Sequence, residues 1–433
     1  MFTLMAVVFV LGYLVIALEQ PLRINKAATA ILTGVLVWTV LMLGHERILP
    51  ADVGGTDHLN HALSEHLGEI ASILFFLIGA MTVVELIDAH EGFRVITERI
   101  TAKKKVMLLW ILSLIAFFLS AVLDNLTTAI VMCALLRKIV HDKPTLWTFT
   151  GMVVIAANAG GAWSPLGDVT TIMLWIGGQI TTANIILKVI LPSAVCLVLP
   201  LLWIGRTLKG DIERPAPRER ATAVGLGLTG FERNLVFVLG LGGLLFVPVF
   251  KTVAHMPPFM GVMLGLGVLW IVTELIHLRH GGNERGDLMV TAVLRRIDMP
   301  SVLFFFGILV AVAGLQVAGH LTLLADGLDR ALGDVYLITG VIGLLSAIVD
   351  NVPLVAAAMG MYPLSQFPQD HIFWELLAFC AGTGGSLLII GSAAGVAAMG
   401  IVKLDFIWYL RKMTFPALLG YLGGMVTFWL LWH

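Results

Sequence analysis

The segment AVLDNLTTAIVM, residues 121–132, places Asp124 and Asn125 in the middle of an apolar run, and AIVDNVPLVAAAM, residues 347–359, does the same with Asp350 and Asn351. A carboxylate inside a membrane segment costs roughly 2.5–3.5 kcal/mol on insertion scales, so it persists where it faces a cavity, a partner or an ion. Two such pairs, 226 residues apart in matching contexts, point to a duplicated chain with a cation site between its halves.

Composition agrees. The chain has 433 residues, 58% hydrophobic and 13% charged, with a mean hydropathy of +0.95. Soluble domains carry about 25% charged residues, so the expected class is an all-α polytopic membrane protein forming one integral domain over 1–433. No basic run suggests nucleic-acid binding, and lipid is the expected surrounding. Cys133, Cys196 and Cys380 lie in apolar stretches and read as buried packing residues rather than disulfides. The opening residues, MFTLMAVVFVLGYLVIALEQ, lack a basic start and a cleavage site and read as a retained first span.

Apolar windows long enough to cross about 30 Å of hydrocarbon fall near 2–19, 26–44, 67–89, 149–178, 184–206, 232–250, 257–278, 300–319, 371–401 and 411–432. The stretches 105–140 and 336–362, which carry the Asp-Asn pairs, read as half-length helix pairs that enter and leave on one side. With the N-terminus outside, this layout puts 23 of the 27 Lys and Arg residues inside, as the positive-inside rule requires. The expected location is a bacterial inner membrane with both termini periplasmic. His58, His61 and His66 then fall in an outer loop, 45–66. The polar, Pro-containing stretch 207–231 reads as a cytoplasmic linker. It separates a first repeat core, 67–206, from a second half, 232–433, whose core starts at 300.

Three landmarks recur in order: SILFFLIGA from Ser72 and SVLFFFGIL from Ser301, the two Asp-Asn pairs, then ANAGGAWSPLGD from Ala157 and AGTGGSLLIIGS from Ala381. The distance from Asp to Gly-Gly is 36 residues in the first copy and 34 in the second. Five crossings separate the starts of the copies, so the second is inverted. Each copy then holds a re-entrant hairpin and a broken helix.

The densest motif is AANAGGAWSPLGDVTTIMLW, 156–175. Gly160, Gly161, Pro165 and Gly167 interrupt a helix there, and the freed carbonyls need a protein cavity or an ion. Asn158, Ser164, Asp168, Thr170 and Thr171 cluster around the break, and such hard oxygen donors suit a hard cation. The second copy keeps the glycines but has no acid; Thr383, Ser386 and Ser392 supply hydroxyls. The hairpin tips add Asp124, Asn125, Thr127 and Thr128, and Asp350 and Asn351. Helix N-termini at such tips favour ionised aspartates or an anionic substrate.

At LDNLTTAIV, ANAGGAWSPLGDVTT and VDNVPLV the chain resembles the NhaD-type sodium/proton antiporters. These belong to a larger ion-transporter superfamily that also holds arsenite, citrate and dicarboxylate carriers. The resemblance implies two inverted repeats, a homodimer and no cofactor, with Na⁺ or Li⁺ and H⁺ as cargo. It carries over Asp124, Asn125, Asn158, Asp168, Thr170 and Thr171 as ion-binding positions in the first half, and Ser346 and Asn351, with Ser386 and Ser392, in the second. Burial disfavours a charged carboxylate, so the expected mechanism is competition. Asp124 and Asp168 hold protons that sodium displaces, Asn125, Asn158, Thr170 and Thr171 complete the oxygen shell, and Asp350 takes part. Two other readings share the fold: coupled uptake of an organic anion, which the acidic tips oppose, and arsenite extrusion. An enzyme lacks support, since neither HExxH nor GxSxG occurs.

Overall fold

The computed structural model describes residues 1–48, 55–97, 102–212, 229–279 and 288–433. The chain begins with α1 (Phe2–Ala17), the single turn α2 (Glu19–Leu22), α3 (Lys26–Ile48) and α4 (Thr56–Ala89). After the turn α5 (Arg94–Thr97) come α6 (Lys105–Leu123), α7 (Asn125–Ile139), α8 (Lys143–Ala162), α9 (Val169–Ile176) and α10 (Thr182–Thr207). Then follow α11 (Gly230–Ala254), α12 (Pro258–Arg279), the turn α13 (Val290–Val293), α14 (Met299–Val317) and α15 (His320–Leu332). The last are α16 (Val335–Leu345), α17 (Asn351–Met361), α18 (Ile372–Gly384), α19 (Ala393–Val402), α20 (Phe406–Lys412) and α21 (Thr414–Trp432). Among the described residues there is no strand, and eight helices are long and apolar enough to cross a membrane. The protein is an all-α polytopic membrane protein.

Local signals place the helix starts. Asp142, Thr181, Thr229, Asp298, Asp334 and Asp405 each accept a backbone N–H of their own first turn, which satisfies a donor the helix cannot. Hydropathy places the helices in depth. Leu11, Leu43, Val253, Leu278 and Leu430 lie exposed on peripheral helices, as lipid-facing side chains do. Residues 149–162 of α8 and 373–384 of α18 are buried on every side, so these two helices form the centre. Cys133, Cys196 and Cys380 are buried and free.

Both Asp-Asn segments return to the side from which they started. Lys105, at the start of α6, donates to Thr145 Oγ1 at 3.0 Å and lies 3.9 Å from Asp142. The two ends of the α6–α7 hairpin therefore meet, although 19 residues of helix reach about 28 Å at 1.5 Å per residue. In the second copy Tyr362, just past α17, donates to Asp329 of α15 at 2.9 Å and closes α16–α17 the same way. The half-length expectation holds for α16, with 11 residues. It fails for α6, whose apolar run meets no breaker before Asp124.

The two halves pair alike. α6 packs on α8 as α16 packs on α18; α7 packs on α19 as α17 packs on α9; α12 packs on α4 as α3 packs on α14. Ser120 Oγ donates to Ala157 O at 2.6 Å and Ser346 Oγ to Ala381 O at 2.8 Å, the same bond at repeat-equivalent positions. A side chain on Gly160 would stand 2.1 Å from Phe117 O, and one on Gly384 would stand 1.9 Å from Gly343 O. Hairpin and broken helix thus touch backbone to backbone in both copies.

Two expectations change. His58, His61 and His66 sit on α4, which starts at Thr56, rather than in a loop; the stretch is rich in helix formers, and His66 and Glu69 pair at 3.5 Å one turn apart. The expected linker 207–231 lies mostly outside the described residues, because 213–228 are not described.

Candidate ion-binding site

Four helices begin at the centre of the molecule, and each is capped by a side chain from the motifs above. Asp124 caps α7, Asp168 caps α9, Asp350 caps α17 and Ser392 caps α19. Helix N-termini carry partial positive charge, so the arrangement suits anionic oxygens.

Asp168 is the hub and is 1% exposed. Its carboxylate accepts Asn125 Nδ2 at 2.5 Å, Asn351 Nδ2 at 3.2 Å on both oxygens, and the Thr170 amide and hydroxyl at 2.9 and 2.8 Å. Asn158 extends the cluster: its Oδ1 accepts Asn125 Nδ2 at 3.1 Å, while its Nδ2 donates to the Ser386 and Ser392 hydroxyls at 2.9 Å each. Residues from both hairpins and both broken helices therefore share one buried network around a single carboxylate. A buried charge needs this many partners to persist.

The other expected positions do different work. Asp124 turns to its own helix, accepting the Thr127 amide and hydroxyl at 2.7 and 2.9 Å. It also borders a narrow apolar cleft with Phe76, Leu77, Leu166 and Ile172. Thr171 belongs to the capping box of α9, with its hydroxyl on the Asp168 backbone. Thr128 is buried with no hydrogen-bond partner for its hydroxyl. Ser346 ties α16 to α18. Asp350 meets Lys26 Nζ at 3.1 Å. Lys26 starts an apolar helix and reads in sequence only as an orientation charge, so no local pattern marks it as a partner of a residue 324 positions away. A second ionic group, Glu375 with Asn184 and with Lys188 at 3.6 Å, also escapes sequence reasoning. No group of three or more His, Cys, Asp or Glu able to hold a metal occurs among the described residues.

Comparison with known proteins fits this arrangement. The sequence profile of the citrate transporter family (CitMHS) matches residues 5–377. The chain is 48% identical over 424 residues to "Sodium/proton antiporter 1" of Arabidopsis thaliana, covering 98% of this chain and 71% of that protein. It is 31% identical over 456 residues to "Na(+)/H(+) antiporter NhaD" of Vibrio cholerae, covering 98% and 91%. This chain belongs to the NhaD-type members of that transporter family. It is a transporter and not an enzyme.

Two cavities approach the hub of this NhaD-type transporter from opposite ends. One, of about 810 Å³, opens between His66 and Glu69 of α4 and His255 at the end of α11, and descends to Met173 of α9 and Ala356 of α17. Each of those residues lies five positions past the helix start at Asp168 or Asn351, about 7.5 Å along the axis. The other, of about 380 Å³, is lined by Tyr13, Glu19, Lys26, Asp350 and apolar residues of α19. Asp168 is 1% exposed and lines neither of these two cavities.

Proposed function

We propose that the protein is a secondary active antiporter that exports Na⁺, or Li⁺, in exchange for H⁺ by competition at buried aspartates. The observation that carries the reading is the Asp168 hub: one buried carboxylate that accepts from two asparagines and from Thr170, all neutral, with Asn158 joined to it through Asn125. A side-chain amide presents NH₂ on one edge and a carbonyl oxygen on the other. Half a turn about its terminal bond lets Asn125 or Asn351 exchange a donor to Asp168 for an oxygen to a cation. The same shell thus serves a carboxylate without its ion and a carboxylate holding one. Protonation removes the charge that attracts the cation, so proton and sodium exclude each other at Asp168, and Asp124 supplies a second titratable group nearby.

The paired contacts of the two copies support an inverted repeat in which the hairpins and broken helices cross at mid-depth. The charge split supports both termini on the periplasmic side of a bacterial inner membrane. The antiport names of the relatives favour cation exchange over other cargo.

Purified protein in proteoliposomes tests the reading. Adding Na⁺ or Li⁺, but not K⁺, drives proton movement, and Asp168→Asn abolishes it. Full exchange in both Asp168→Asn and Asp124→Asn ends the competition scheme. The citrate transporter profile supports one alternative, coupled uptake of an organic anion. Against it, Lys26 is already held by Asp350 and Asp168 repels a carboxylate. Sodium-driven accumulation of labelled citrate without proton countermovement would establish it.

A further inference from the structure

The ion pair between Lys26 and Asp350 stands where the smaller cavity ends and the buried network begins. Both side chains line that cavity, with Glu19 and Tyr13. The next residue, Asn351, donates to both oxygens of Asp168 at 3.2 Å. A cation entering from this end meets Asp350 before it meets the hub.

Lys26 reaches Asp350 from a different body of the molecule. It is the first residue of α3, which is clamped on α14. Trp38 Nε1 donates to Val310 O at 2.8 Å, and the Ala30 backbone lies 2.4 Å from where a side chain on Gly307 would stand. From that support the ammonium extends over the Phe304 ring, 4.3 Å from its centroid, to Asp350 Oδ2 at 3.1 Å. The ring face favours a cation there. The backbone amide of Lys26 is itself held by Glu19 Oε1 at 3.3 Å. Asp350 therefore carries a protein-borne cation, whereas the carboxylate of Asp124 accepts the Thr127 amide and hydroxyl.

We propose that Lys26 is a tethered counter-cation: it occupies at Asp350 the place a transported cation would take, and its departure opens the passage between this cavity and Asp168. The proposal makes Lys26 a positioning residue for exchange and rests on the antiport reading. An ammonium on a rigid helix competes intramolecularly with free sodium, which keeps the cation from resting at Asp350 and leaves Asp168 as the exchanging carboxylate.

The test uses the full chain in two assays. The first is the sodium-dependent rise in melting temperature in detergent. The second is cation-driven proton movement in proteoliposomes. In K26Q the sodium concentration at half effect is expected to fall at least threefold, with apparent KM and turnover falling together as the ion lingers. K26R, which keeps the charge, stays within twofold of the unchanged protein in both assays, and K26Q/D350N loses the tightening. Lower turnover in K26Q at an unchanged sodium half-point would reduce Lys26 to a structural role and overturn the proposal, as would K26R behaving like K26Q. Should K26Q not fold, D350N carries the test. The sodium shift survives if Lys26 is a counter-cation, and its complete loss makes Asp350 itself the ligand and overturns the proposal. An unchanged protein that moves no protons, yet whose sodium binding tightens in K26Q, refutes antiport and leaves the counter-cation standing.

Discussion

At the tip of the first hairpin Asp124 has φ 75° and ψ 162°; at the tip of the second Asp350 has φ −51° and ψ 137°. The residue type, the following asparagine and the capping role are the same. The first backbone lies in a region that is essentially restricted to glycine and costs about 1–3 kcal/mol, and the second is relaxed. The first carboxylate faces apolar side chains, and the second is paired with a lysine. The broken helices repeat the contrast: Asp168 and Ser392 share nearly one geometry, φ −147°, ψ 147° and φ −143°, ψ 151°, but only the first brings a charge. The backbone therefore sets where four helix ends meet, and the residue at each end decides which of them carries charge, strain or a counter-ion.

The largest effect should come at the broken helices. Asp168→Asn is expected to reduce cation-driven proton flux at least a hundredfold, whereas Ser392→Ala, at the matching position, costs less than tenfold. Equal losses would erase the functional difference between the copies. Next come the backbone crossings. Gly160→Ala and Gly384→Ala each drive a methyl into a carbonyl, and overpacking of this kind costs about 1–3 kcal/mol or more. Both variants should melt lower in detergent by similar amounts; a loss confined to one would break the equivalence of the two crossings.

A smaller, opposite pair of effects separates the tips. Asp124→Gly removes strain at φ 75° and, because glycine is only slightly worse as a helix cap, should raise stability by about 1 kcal/mol while transport falls. Asp350→Gly has no strain to release and leaves Lys26 without its carboxylate, so its melting temperature should drop. Melting curves of the two variants decide between these signs. The smallest expected change is shared: Ser120→Ala and Ser346→Ala each lose one hydroxyl-to-carbonyl bond, about 1 kcal/mol. If only one of them lowered the melting temperature, the packing of the two hairpins would differ more than their contacts indicate.

Much of this arrangement is legible in the residues themselves. The Gly-Gly and Pro interruptions of 156–175 mark the break between α8 and α9. Asn125, Asn158, Asp168, Thr170 and Asn351 stand out by residue type within apolar runs, and the structure gathers these five in one network. The partners are less legible. The family resemblance puts Asp124 in the same shell as Asp168, and in the structure its carboxylate accepts from its own helix start. Thr171 reads as a ligand, and its hydroxyl completes a cap on the Asp168 backbone. Both outcomes depend on which way a side chain turns at a tip, and spacing does not encode that. The N-terminal extension of α4 through His58 and His61 is hidden because its polar composition resembles a loop, while the helix is held by local pairs such as His66–Glu69.

By itself the sequence determined the helices and their breaks, because hydropathy, proline, glycine and capping residues act within a few positions of themselves. It also named the carboxylates that lipid cannot tolerate without a reason. Only the tertiary structure decided which of them meet. Asn125 and Asn351, 226 positions apart, converge on Asp168, and Lys26 closes on Asp350 across 324 positions. Those meetings follow from helices pressed together at glycine contacts such as Gly307 on Ala30 and Gly384 on Gly343, where the distance between backbones is a property of the packed pair and of neither segment alone.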